Sequence, residues 1–88
     1  MDEEYYRNCR LIFTNYGLRN QKKQFIQELA ELIQAITKSD YENFAEELAD
    51  VQVMIDQFIT FNPNLDKLYK QIRLEKVERQ LKRIEEEK

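Results

Sequence analysis

The 88-residue chain has no histidine, and that single absence removes much metal and acid–base chemistry. Zinc centres draw on imidazole nitrogens or several thiolates, and one cysteine cannot replace them. A carboxylate-bridged di-iron bundle needs Glu-x-x-His on two of its helices, so it is excluded as well. Cys9, the only cysteine, rules out an intrachain disulfide and reads as a small buried apolar residue. With one glycine and one proline, the chain lacks the turn residues of an all-β design. No Walker motif and no EF-hand loop is present. A basic surplus is missing too. The balance of 14 Lys and Arg against 17 Asp and Glu is −3, which disfavours general nucleic-acid binding. No long apolar run follows the acidic start Met1-Asp2-Glu3-Glu4, so neither a secretory signal nor a membrane span is expected. The expected location is cytoplasmic.

What the chain does contain suits one small all-α domain spanning residues 1–88, being 42% hydrophobic and 35% charged. So short a chain buries a modest core, which makes self-association an expectation. Four helices are expected, joined by short connections in a bundle-like fold. The first runs from about Asp2 to Asn15, its acidic start matched to the positive end of the helix. Tyr5, Cys9, Ile12, Phe13 and Tyr16 form its apolar face, and Gly17 suits a left-handed stop just beyond it. The second spans Gln21 to Lys38, with Phe25, Leu29, Leu32, Ile33 and Ile36 at helical spacing. Ser39-Asp40-Tyr41-Glu42 reads as a capping box opening the third, whose apolar positions include Phe44, Leu48, Val51, Ile55 and Phe58. Asn62-Pro63-Asn64 closes that helix and starts the fourth, since proline fits a first turn and not an interior. The fourth carries Leu65, Leu68, Ile72, Val77, Leu81 and Ile84, and the charged run Glu85 to Lys88 is expected to fray.

Two acidic pairs stand out, Glu28-x-x-Glu31 and Glu47-x-x-Asp50. Carboxylates three residues apart project from one face of a helix. A turn at Ser39-Asp40 between antiparallel helices brings all four together. Exposed helix faces are often rich in glutamate, and that accounts for Glu42, Glu46, Glu75, Glu78 and Glu85. These two pairs differ because each borders an apolar row. No lysine or arginine lies in residues 24–37 or 41–61, so the stretches that carry the two pairs supply no cationic partner of their own. Half-buried carboxylates without cations are costly unless a metal neutralises them. An all-oxygen set suits Mg²⁺, with Mn²⁺ as a substitute, better than Zn²⁺.

The run Gln27-Glu28-Leu29-Ala30-Glu31-Leu32-Ile33-Gln34-Ala35-Ile36, followed by Asn43-Phe44-Ala45-Glu46-Glu47-Leu48-Ala49-Asp50-Val51, resembles the MazG-like all-α nucleoside-triphosphate pyrophosphohydrolases. Their signature is Glu-x-x-Glu, a variable spacer, then Glu-x-x-Asp, with Leu-Ala-Asp-Val typical around the last acid. Tyr16-Gly17 followed by Gln21 looks like the Trp-Gly…Gln opening of short, often phage- or prophage-encoded members. Lys76, Arg79 and Arg83 are similar to the Lys-x-x-Arg-x-x-x-Arg tail of that group. The likeness covers about Tyr16 to Arg83. Gln27 stands where many relatives carry a further Glu, and Tyr16 replaces the usual Trp.

The resemblance implies hydrolysis of a (deoxy)nucleoside triphosphate between its α and β phosphorus atoms, yielding monophosphate and pyrophosphate. It implies Mg²⁺ held by Glu28, Glu31, Glu47 and Asp50, with Glu28 or Glu31 as the base. A departing pyrophosphate needs cations. Lys76, Arg79 and Arg83 share one stripe of the fourth helix and would supply them from the same or a neighbouring subunit. Gln21, with Asn20, would contact base or ribose, although both also suit a cap of the second helix. Tyr16 would stack on a base, whereas Phe13 fits the core better. A homodimer or homotetramer is expected. The alternative is a non-catalytic helical module that assembles through its apolar faces, although the apolar rows of the fourth helix break phase.

Overall fold

The computed structural model describes residues 3–88, and among them the chain is all-α, with four helices and no strand. Helix α1 spans Glu3–Tyr16, α2 Leu18–Ile36, α3 Tyr41–Phe61 and α4 Pro63–Glu87. The expected start at Asp2 lies outside the described residues.

One residue separates α1 from α2. Gly17 sits at φ 86° and ψ 159°, a backbone conformation open to glycine and strained for other residues. Its N–H still donates to the Phe13 carbonyl (2.8 Å), and its carbonyl accepts from the Gln21 N–H (3.0 Å). Both helical ladders therefore run into the bend, and α2 begins three residues earlier than the spacing suggests. Asn20 accordingly does not cap α2. Its side-chain amide donates to the Tyr16 carbonyl at 2.8 Å and satisfies the end of α1.

The turn after α2 closes at Thr37, whose hydroxyl donates to the Gln34 carbonyl (2.8 Å). Asp40, not Ser39, caps α3, accepting from the Asn43 N–H at 3.0 Å. A carboxylate at a helix start gains from the positive helix end as well as the hydrogen bond, which favours Asp over the neighbouring Ser. Before α4 the expected pattern is present. The Asn62 side chain accepts from the Asn64 and Leu65 N–H groups, both at 3.2 Å, and Pro63 occupies the first turn. Helix α4 continues through Glu87, and the charged run at its end is exposed throughout.

Helices α1, α2 and α3 pack on one another around Phe13, which is 1% exposed. Its ring stacks on Phe61 (4.3 Å between centroids) and meets Phe58 edge-on at 5.0 Å, while Phe58 also touches Phe25 of α2. Burying such a ring contributes about 1.5–3 kcal/mol, so this cluster is the anchor of the three-helix body. Cys9 is buried beside it, as its apolar reading requires. Some polar groups are buried too. Asp56 accepts from the Tyr5 hydroxyl (2.6 Å) and from the Gln52 amide (3.1 Å). Burial, and then the Asp56 carboxylate, raises the Tyr5 hydroxyl well above its usual range.

Helix α4 does not join this packing as a fourth member. It contacts α3 alone, and every residue from Gln71 onward is exposed. The radius of gyration is 15.7 Å, against about 12 Å for a compact domain of this length. The molecule is a three-helix body with a projecting arm. No helix among the described residues is long and apolar enough to cross a membrane.

Candidate metal centre

Helices α2 and α3 run back along each other from the turn at residues 37–40, and the two acidic pairs lie at similar distances from it. That places Glu31 beside Glu47 and Glu28 beside Asp50. The hairpin therefore converts two sequence pairs into one cluster. Each of the four side chains offers a carboxylate oxygen, and these oxygens all lie within 4.8 Å of one another. Glu28, Glu31 and Glu47 are half-buried and Asp50 is exposed, so the cluster opens to solvent on the Asp50 side.

The electrostatics are unfavourable as they stand. Burial raises Glu28 above the ordinary glutamate value, the Gln24 amide opposes that rise, and the charges of Asp50 and Glu31 add to it. Burial also raises Glu47, joined by the charges of Glu31, Asp50 and Glu46. The Gln24 amide donates to Glu28 Oε1 at 2.6 Å and fixes that side chain. Glu28 Oε2 and Glu47 Oε2 are buried with no hydrogen-bond partner. Among the described residues the ion pairs are Lys70–Asp66 (3.0 Å) and Lys88–Glu85 (3.9 Å), both within the last 26 residues and neither in the cluster. Buried acceptors without donors, converging with like charges, fit a hard divalent cation. The donor set fits Mg²⁺ or Mn²⁺.

Beside the cluster is a cavity of about 540 Å³. Its walls include Tyr16, Asn20, Gln21, Gln24, Met54 and Gln57, and Gln24 links it to Glu28. Tyr16 is 56% exposed and presents its ring there, whereas Phe13 is in the core. Gln21 is almost wholly buried, and its amide donates to Gln57 Oε1 at 2.6 Å. It stands in the cavity wall as half of an amide pair and not as a free surface side chain. Gln57 and Gln24 were not singled out as site residues from the sequence. The signal for Gln24 was available, because it precedes Glu28 by four residues, a spacing that joins side chains on one helix face.

Lys76, Arg79 and Arg83 are not brought to the carboxylates of the same chain. They belong to the exposed half of α4, which makes no contact with α2. Comparison with protein-family models, with curated proteins and with solved structures gives no match for this chain.

Proposed function

We propose that this chain is a MazG-like pyrophosphohydrolase, hydrolysing a (deoxy)nucleoside triphosphate at its α–β bond to monophosphate and pyrophosphate. One observation carries the reading: four carboxylates converge within 4.8 Å, two of them with buried, unpartnered oxygens, and none of them is in an ion pair among the described residues. Glu28, Glu31, Glu47 and Asp50 would hold Mg²⁺ (or Mn²⁺), which would supply charge neutralisation for the triphosphate and lower the pKa of a water. Gln24 orients Glu28, leaving its second oxygen free to bind. Glu28 or Glu31 takes the proton of the attacking water. Tyr16 stacks on the base, and the Gln21–Gln57 amides line its pocket. Lys76 and Arg79, with Arg83 further along the same stripe, offset the charge of the leaving pyrophosphate. The protein works as a homodimer or homotetramer in the cytoplasm.

The exposed apolar residues of α4 favour a second reading, a non-catalytic helical module that only self-associates. Thermal melting separates the two. A ligand that binds the folded state alone stabilises it by about 2.7 kcal/mol at a hundredfold excess over its dissociation constant. Mg²⁺ or Mn²⁺ raises the melting temperature if the carboxylates form a metal site, and leaves it unchanged in a pure module. The reaction is then read from a panel of ribo- and deoxynucleoside triphosphates. Equal amounts of monophosphate and pyrophosphate, abolished by chelator, are expected. Orthophosphate with accumulating diphosphate would mean terminal-phosphate hydrolysis and would sink the assignment.

A further inference from the structure

Between α2 and α3 the pairing that builds the acidic cluster is repeated further along in neutral form. Gln21 precedes Glu28 by seven residues, and Gln57 follows Asp50 by seven. Seven residues are close to two helical turns, so each glutamine lies on the face that carries its acid. The two helices run in opposite directions, and the hydrogen-bonded Gln21–Gln57 pair stands about 10.5 Å along them from Glu28 and Asp50. That spacing is close to the reach from the α-phosphorus of a nucleotide to the far edge of its base. The cavity at this point has a wet rim and a dry floor. Tyr16, Lys23 and Gln24 are exposed, whereas Gln21, Gln57 and Met54 are 5%, 3% and 4% exposed. Water competes for polar groups at the rim, but at the floor an unmatched group loses its hydration without return. Discrimination between ligands therefore arises at the floor.

One contact fixes which atom the floor presents. Gln57 Nε2 donates to Met54 Sδ at 3.6 Å. A thioether sulfur accepts and has no hydrogen to give, so the Gln57 amide turns its nitrogen to Met54 and its oxygen the other way. Gln57 Oε1 accordingly accepts from Gln21 Nε2 at 2.6 Å. The amides thus run with one polarity, from Gln21 to Gln57 to Met54, and the atom left over is Gln21 Oε1. That oxygen has no hydrogen-bond partner among the described residues and is not sealed from solvent. Turning Gln21 over would set its oxygen against Gln57 Oε1. Turning both over would set Gln57 Oε1 against the sulfur. Neither is favourable, so the floor offers a fixed acceptor.

We propose that Gln21 Oε1 selects a base with an exocyclic amino group, cytosine or adenine, over uracil or hypoxanthine, which carry an oxo group at the same position. Gln57 and Met54 act as positioning residues that hold the Gln21 amide in this orientation. The proposal rests on the reading of the cavity as the base pocket of a nucleoside triphosphate. An amino group projects from the edge of the ring and donates to Oε1. In uracil and hypoxanthine the atom in its place is a carbonyl oxygen, and two acceptors then face each other at the dry floor. The ring N–H of those bases does not restore the contact, because it is set back from the edge beside that same oxygen.

Initial rates on the full chain with Mg²⁺ compare dCTP with dUTP and dATP with dITP. The amino member of each pair should have a kcat/KM higher by about tenfold or more, the order expected when one buried acceptor is left unmatched. Equal values, or a preference for the oxo member, overturn the proposal and leave the pyrophosphohydrolase reading standing. If no triphosphate is hydrolysed, that reading falls, and dCMP and dUMP are compared by calorimetric binding instead. Binding of dCMP about tenfold tighter keeps the proposal; equal binding, or none, overturns it. Two variants test the positioning. Gln57→Leu removes the acceptor that holds Gln21, and Met54→Leu, a swap close in volume, removes the sulfur that holds Gln57. Each should bring the amino-to-oxo ratio towards one, through KM or binding rather than kcat. A ratio as large as that of the unsubstituted chain in Met54→Leu and in Gln57→Leu overturns the role of the amide chain.

Discussion

The three-helix body and the α4 arm have similar raw material and use it differently. Both contain apolar residues at helical spacing and an abundance of charge. In the body, Phe13, Phe25, Phe58 and Phe61 come from three helices and close on one another. In the arm, no residue is buried at all. The difference lies in what stands opposite. Gly17 and the turn at residues 37–40 reverse the chain tightly enough for α1, α2 and α3 to meet, while α4 leaves α3 after its first turns and finds no fourth neighbour. Amphipathic pattern records that a helix needs a partner. It does not say whether the partner belongs to the same chain.

The largest expected effect sharpens this contrast at the body's charged edge. Asp50→Asn should lower metal-dependent turnover by at least about a hundredfold, with the helical signal in circular dichroism unchanged and the Mg²⁺-induced rise in melting temperature lost. Near-normal activity in this variant would remove Asp50 from the site. Next comes the core. Phe13→Ala should destabilise the fold by about 3–5 kcal/mol, measured by urea unfolding. Leu74→Ala, on the arm at 61% exposure, should stay within about 0.5 kcal/mol. Comparable losses at the two positions would break the distinction between body and arm.

A smaller effect belongs to the bend. No atom lies within 4 Å of a Cβ added at Gly17, so Gly17→Ala meets no clash and only the backbone penalty remains. A cost of about 1–3 kcal/mol follows for a non-glycine residue in that region, again by urea unfolding.

The smallest effect is a pH trend. Glu28 and Glu47 have raised pKa values, so the folded metal-free chain holds their protons more tightly than the unfolded chain does. Their contribution to metal-free stability therefore rises as pH falls through the raised values towards the ordinary glutamate range, and is unfavourable at neutral pH. Saturating Mg²⁺ should reverse the trend, because ligands must be deprotonated to bind. Melting curves with chelator and with Mg²⁺ across that interval read both slopes. Parallel slopes would mean that the metal does not bind at these carboxylates.

Much of the site was legible in the chain itself because it depends on local periodicity. Two Glu-x-x-acid pairs on consecutive helices, with no Lys or Arg in residues 24–37 or 41–61, dictate a carboxylate cluster once the helices fold back. The caps at Asn62 and Pro63 and the break at Gly17 were equally local. Asp40 in place of Ser39 was a choice between adjacent acceptors that only the folded turn settles. Tertiary structure alone decided that Gln21 turns inward to Gln57, that Asp56 is buried against Tyr5, and that α4 stands away from the body. Spacing along a helix gives the direction of a side chain. Burial depends on which surface arrives opposite it, and that is set by the angles at two short connections.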